Sequence, residues 1–208
     1  MPKKGFRVLI PMKNPYDSKS RLAKVFSRNQ RAELSLNMLA RVVTASKLSL
    51  ADNIAVVGGE FIASCANEHD VDWIDVSNHD LNEDLYAAMC LSVEDDFVPI
   101  YLPGDVPFLT PDDINEVIKA SHGGSEMVLV PSGHDGGTNC FLNPFFICFK
   151  PLLGIDSFRR HIEFAEMRNV PFSVRRLSGL LLDLDTEDDL RRCNAVESGF
   201  IKRLGRPM

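Results

Sequence analysis

Several common ligand-binding signatures are missing from this sequence. It has no Gly-x-x-x-x-Gly-Lys-Ser/Thr and no Gly-x-Gly-x-x-Gly, so neither a P-loop nor a dinucleotide fingerprint is present to cradle phosphate. Its five cysteines (65, 90, 140, 148, 193) are scattered and form no Cys-x-x-Cys, which argues against a zinc site. Their pattern suits buried reduced thiols in a cytoplasmic protein. Long apolar runs are also lacking. The stretch from Cys140 to Phe149 contains Asn143 and Pro144 and is too short to cross a bilayer, so no membrane partner is expected. The opening Met-Pro-Lys-Lys-Gly-Phe-Arg leads into only a short apolar strand with no small-residue cleavage site, so no secretory signal is expected. Positive charge is in the minority. Lys and Arg total 23 against 29 Asp and Glu, a net charge of -6, which speaks against a nucleic-acid binder with a broad basic face. A local cationic pocket for a small anion remains compatible with that balance.

A chain of 208 residues suits a single domain over 1–208 with one sizeable core. Strand-like and helix-like segments alternate along it. Strands are expected over 6–12, 53–57, 71–76, 97–102, 127–131, 172–177 and 179–183, with two more inside 138–149. Helices are expected from Ser27 or Asn29 to about 46, and over 61–69, 82–93, 157–168 and 187–198. Another opens at Thr110, with Pro111 at its first position and acids in its first turn. Repeated βα alternation predicts an α/β fold, Rossmann-like, with a mostly parallel sheet covered on both faces.

In such a sheet, ligands sit at the carboxyl ends of the strands. The first strand empties into a loop carrying Lys13, then Lys19, Ser20 and Arg21. Its cations could hold phosphate, and alone they could equally be a solvated surface. Asp105 follows the strand over 97–102, as a ligand or as a turn residue. Asp183 and Asp185 would share one face if their strand continues, since the strand period is two. Paired carboxylates suit Mg²⁺ together with phosphate oxygens. Alternatively Asp185 or Thr186 caps the next helix. Gly136 and Gly137 allow close backbone approach, and Thr138 and Asn139 add polar groups. Ser157 opens a helix N-terminus, either as an anion site or as a plain cap. His69, His79 and His122 read as surface or helix-end residues, and His134 and His161 receive no role.

Taken in order, Ile10-Pro-Met-Lys13, Lys19-Ser-Arg-Leu22, Asp105-Val-Pro107, Asp135-Gly-Gly-Thr-Asn139, Ser157-Phe-x-x-His161 and Asp183-Leu-Asp-Thr186 resemble the 2-phospho-L-lactate guanylyltransferase family of coenzyme F-420 biosynthesis. The resemblance covers nearly the whole chain. It implies a glycosyltransferase-A-like nucleotidyltransferase fold. It also implies transfer of GMP from GTP to a phosphorylated three-carbon acid, with release of pyrophosphate. By resemblance, Asp105, Asp183 and Asp185 would hold Mg²⁺, and Lys13, Lys19 and Arg21 would face the triphosphate. Thr138, Gly154 and Ser157 would hold the acceptor, which could be 2-phospho-L-lactate, phosphoenolpyruvate or a phosphoglycerate. Leu81-Asn82 resembles a Gly-Leu-Asn segment bordering the base, with Asp80 in the glycine position. A homodimer is compatible with the resemblance. The alternatives are another nucleotidyltransferase of this fold, of molybdopterin or sugar-phosphate type, and a non-catalytic nucleotide-binding domain. The loop after Ile10 lacks the Gly-Gly-x-Ser-x-Arg-Met-Gly pattern of the molybdopterin enzymes.

Overall fold

A computed structural model describes residues 4–76, 80–133 and 135–204. His79 and His134 lie outside the described residues. At the centre is β1 (Gly5–Pro11), whose Val8, Leu9 and Ile10 are all fully buried. Burial on both faces is why this strand reads as a continuous apolar run rather than an alternating one. It pairs in parallel with β2 (Asn53–Val57) on one side and with β4 (Phe97–Tyr101) on the other. Beyond β2 lies β3 (Asp72–Ile74), also parallel. Beyond β4 comes β6 (Thr138–Leu142), antiparallel to both β4 and β5 (Met127–Pro131). β7 (Phe172–Val174) runs parallel to β5 and closes the sheet. The order is β3-β2-β1-β4-β6-β5-β7, and the expected mostly parallel sheet is present with one reversed strand.

Helices cover both faces. On one, α1 (Arg28–Lys47), α2 (Ala63–Glu68) and α4 (Pro111–Ala120) pack Leu39, Val42, Ala66, Ile114 and Val117 against Val8 and Ile10. On the other, α3 (Leu81–Glu94) and α5 (Ser157–Met167) pack Leu85, Met89 and Ala165 against Leu9. Local sequence sets the helix starts. Ser27 caps α1 in a capping box with Gln30, and Thr110 caps α4 with Asp113 and Pro111 at the first position.

A third apolar cluster is separate from the sheet. It joins Leu22 of the first loop to Leu34 and Met38 of α1, to Leu184, and to Leu190, Cys193 and Phe200 of α6 (Glu187–Val196) and α7 (Phe200–Leu204). Leu22 and Leu184 are both fully buried there. This contact brings the cationic loop and the C-terminal aspartates together across more than 160 positions of sequence.

Four expectations need correction. The segment expected as a strand over 179–183 is a short 3-10 turn, Ser178–Leu180, followed by irregular chain. Gly179 sits there because a Cβ would lie 2.2 Å from Asp113 Oδ2 and 2.7 Å from the Phe108 carbonyl oxygen. Only one strand forms within 138–149, because the chain leaves the sheet at Asn143 and Pro144. Ser157 does not cap α5. Asp156, with φ of 53°, holds the cap position without a side-chain bond, and Ser157 turns to Thr138 instead. The cysteines are not all free: Cys90 and Cys148 form a disulfide, while Cys65, Cys140 and Cys193 are buried thiols.

Candidate active site

The carboxyl ends of β1, β2 and β4 open on a cavity of about 810 Å³. Its walls include Pro11, Met12 and Lys13 after β1, Val57 and Gly58 after β2, and Tyr101, Gly104 and Asp105 after β4. Asp80, Leu81 and Asp84 at the start of α3 complete the far side, with Phe61 nearby.

Lys19 is the pivot of this cavity. Its Nζ donates to Asp105 Oδ2 at 2.5 Å and to Asp185 Oδ1 at 2.7 Å. The side chain is only 7% exposed. Burial pulls the ammonium pKa down, but the two carboxylates outweigh burial and leave it above the ordinary lysine value. Its backbone is in the left-handed region at φ 52°, unusual for a residue with a Cβ. Such strain, worth about 1–3 kcal/mol, persists only where surrounding contacts fix the residue. The two carboxylates and the anchored Leu22 are those contacts.

The turn after β4 and the segment before α6 are joined by their backbones. Leu184 N–H donates to the Asp105 carbonyl at 3.0 Å. This places Asp105 beside the residues that flank Leu184. Thr186 caps α6 in a capping box with Asp189, so Asp185 is left to Lys19 and not used as a cap. Asp183 goes elsewhere. Its Oδ1 accepts from Asn139 Nδ2 at 3.2 Å, and burial together with the nearby Asp105 carboxylate raises its pKa. Among the described residues, no group of three or more His, Cys, Asp or Glu side chains is arranged to close around a metal. Two carboxylate oxygens converging on one cation are still the donor chemistry of a Mg²⁺ site, because Mg²⁺ commonly takes one or two carboxylates and completes its shell with phosphate oxygens and water.

The other expected residues divide into three sets. Lys13 is exposed and lines the cavity, whereas Arg21 is exposed outside that lining. Asn82 is not a wall of the cavity. Its amide donates to the Leu153 carbonyl at 3.2 Å and accepts from Leu153 N–H at 2.8 Å, tying α3 to the chain beside Gly154. Asp80 replaces the expected glycine without strain: its φ is -147°, and its carboxylate accepts from the backbone N–H groups of Asn82 and Glu83. Thr138, Gly154 and Ser157 form a separate group around the start of β6 and α5. Ser157 Oγ donates to Thr138 Oγ1 at 3.2 Å, and Ser157 N–H donates to the Gly154 carbonyl at 3.1 Å. Gly154 has φ 118°, which favours glycine.

Sequence reasoning missed Tyr101 and His161. Tyr101 is the last residue of β4 and lines the cavity, and burial holds its phenol neutral far above the usual range. Position at a strand's carboxyl end was a usable signal for it. His161 is fully buried, with Nδ1 3.0 Å from Thr138 Oγ1 and Nε2 accepting from Leu152 N–H at 3.0 Å. Burial and the adjacent Arg160 guanidinium lower its pKa to about 4. The unfolded chain binds a proton below about 6.5, while the folded protein refuses it until about 4. Stability is therefore expected to fall across that window, by an amount on the order of 3 kcal/mol from this group. Urea midpoints at pH 7 and pH 4.5 check this: His161→Phe should show the smaller acid loss.

The family model described as "Guanylyl transferase CofC like" matches residues 6–196. The phosphoenolpyruvate guanylyltransferase of Roseiflexus castenholzii is 35% identical over 183 residues, covering 88% of this chain and 84% of that protein. The 2-phospho-L-lactate guanylyltransferase of Methanocaldococcus jannaschii is 30% identical, over 96% of this chain and 89% of its own. The 3-phospho-D-glycerate guanylyltransferase of Colwellia psychrerythraea is 28% identical, over 96% of each. Among solved structures, a nucleotidyl transferase from Methanothermobacter superposes with a TM-score of 0.64 at 16% identity, over 96% of this chain and 99% of that one. CMP:2-keto-3-deoxy-manno-octonic acid synthetase superposes with a TM-score of 0.63 at 10% identity, over 92% and 98%. At those identities the likeness establishes the fold.

Proposed function

Since the chain belongs to the CofC-like guanylyl transferase family, we propose that it transfers GMP from GTP to a phosphorylated three-carbon acid and releases pyrophosphate. Phosphoenolpyruvate is the first candidate acceptor, because the relative with 35% identity is named for it. The product would then serve deazaflavin coenzyme F-420 biosynthesis in the cytoplasm. The observation that carries the reading is Lys19, held between Asp105 and Asp185 at the wall of the 810 Å³ cavity. A buried cation bridging two carboxylates, in a cavity that the exposed Lys13 also lines, supports the binding of a polyanion with its counter-ion.

The chemistry asks little covalent work of the protein. The acceptor phosphate is already nucleophilic at neutral pH, its second pKa being about 6. One of its oxygens attacks the α-phosphorus of GTP. The bond from that phosphorus to the bridging oxygen of the β-phosphate breaks, and pyrophosphate leaves with the electron pair. No Ser-His pair is required. The obstacle is repulsion between two polyanions. Lys13 and Lys19 counter it with fixed charge, and Lys19 reaches from a long side chain that can exchange a carboxylate partner for a phosphate oxygen. Mg²⁺ held by Asp105 and Asp185, with Asp183 adjoining, would neutralise the triphosphate and favour in-line attack. Thr138 would receive an oxyanion of the acceptor, with Gly154 and Ser157 shaping its surroundings, since Ser157 gives its hydroxyl proton to Thr138 and its N–H to the Gly154 carbonyl.

The test is a pyrophosphate-release screen with GTP and Mg²⁺ against phosphoenolpyruvate, 2-phospho-L-lactate and 3-phosphoglycerate. Release should require all three components, with one acid preferred. Ligand binding without release for any acid would favour a non-catalytic nucleotide domain instead.

A further inference from the structure

His161 lies at the centre of a polar chain in an otherwise apolar surrounding. Its ring packs against Phe141 and Phe149, at centroid distances of 5.2 and 5.5 Å. Its Nε2 accepts the Leu152 backbone N–H, so that nitrogen carries no proton. A neutral imidazole must then carry its proton on Nδ1, which faces Thr138 Oγ1 at 3.0 Å. The histidine therefore donates to the threonine. Ser157 Oγ donates to the same oxygen at 3.2 Å. A hydroxyl oxygen has two acceptor sites and one proton. Both acceptor sites of Thr138 are filled from within the protein, and what remains to it is its own O–H.

From this we infer that His161 is a positioning residue for the acceptor: it fixes Thr138 as a hydrogen-bond donor, so that the residue meets an oxyanion and not a donor group. The inference rests on the reading above that Thr138 contacts the phosphoacid. The selectivity is physical. A phosphate or carboxylate oxygen accepts the threonine proton. An unphosphorylated hydroxyl acid offering its own O–H at that point meets no lone pair. The fixed tautomer also removes a choice. A threonine free to rotate could present either a proton or a lone pair, and part of the binding free energy would go to ordering it.

The experiment measures pyrophosphate release by the full chain, varying phosphoenolpyruvate at saturating GTP and then GTP at saturating phosphoenolpyruvate. His161→Phe keeps the ring shape and removes both nitrogens. It should raise the acceptor KM by about tenfold or more, since a hydrogen bond to a charged group is at stake, while the GTP KM stays within about twofold. His161→Asn places an amide N–H near the Nδ1 position and should recover most of the loss. His161→Gln can reach Leu152 but not Thr138, and should behave like His161→Phe; it serves if the phenylalanine variant does not fold. Thr138→Val should raise the acceptor KM as much as His161→Phe, and the double variant should be no worse than Thr138→Val alone. Equal rises in both KM values, or multiplicative effects in the double variant, would overturn the positioning role. An unchanged acceptor KM in Thr138→Val would overturn the assignment of Thr138 to the acceptor, and this inference with it.

Discussion

Lys19→Met is expected to lower pyrophosphate release by about a thousandfold, the scale on which one fixed charge aimed at a developing anion acts. The same variant should show a second effect. Without the ammonium, the Asp105 and Asp185 carboxylates that shared it at 2.5 and 2.7 Å repel one another. Removing one partner of a part-buried charge cluster destabilises the fold. Mg²⁺ would supply the missing positive charge and should raise the thermal midpoint of Lys19→Met more than that of the unaltered protein, because a ligand that binds only the folded state stabilises it by mass action. Thermal melts with and without millimolar Mg²⁺, alongside turnover, separate the outcomes. Turnover within tenfold of normal, with no added response to Mg²⁺, would make Lys19 a structural ion-pair residue.

Asp105→Asn should be at least as damaging to turnover, again by about three orders of magnitude or more. It removes one of the two carboxylates on Lys19 and a donor to any cation on the triphosphate. The fold should tolerate it. The bond that joins this turn to the C-terminal segment runs from Leu184 N–H to the Asp105 backbone carbonyl, and an asparagine keeps that carbonyl. Near-normal circular dichroism with turnover reduced a thousandfold is the expected pair of results. Normal turnover would remove Asp105 from the site.

How far the sequence foretold this site depends on the kind of contact. The centre of the sheet was legible because β1, β4 and β5 are largely apolar and buried on both faces, and the helices because Ser27, Thr110 and Thr186 are explicit caps. The convergence of Lys19 on Asp105 and Asp185 was legible only as an ordered set of short motifs resembling a family. Nothing local announces it. The contact is made by the third apolar cluster, where Leu22 meets Leu184, and such a pairing has no periodic signature. The segment over 179–183 looked like a strand because apolar residues run through it. Tertiary packing overrides that pattern, since Gly179 must pass close to Asp113 and the Phe108 carbonyl. Asn82 was expected to border the base because Leu81-Asn82 resembles a Gly-Leu-Asn segment. Its hydrogen-bond partner in the fold, Leu153, lies 71 positions away and could not be read from spacing. The opening loop likewise changes emphasis. Lys13 stands nearest the strand end, but Lys19 is the buried cation.

The most direct test of the account is the identity of the products. The protein, incubated with GTP, Mg²⁺ and phosphoenolpyruvate, is followed by phosphorus NMR. The account predicts pyrophosphate together with an equimolar unsymmetrical diphosphate, seen as two coupled doublets, that joins GMP to the acid's phosphate. Formation of GDP and inorganic phosphate, or no change in GTP with any three-carbon phosphoacid, would contradict it.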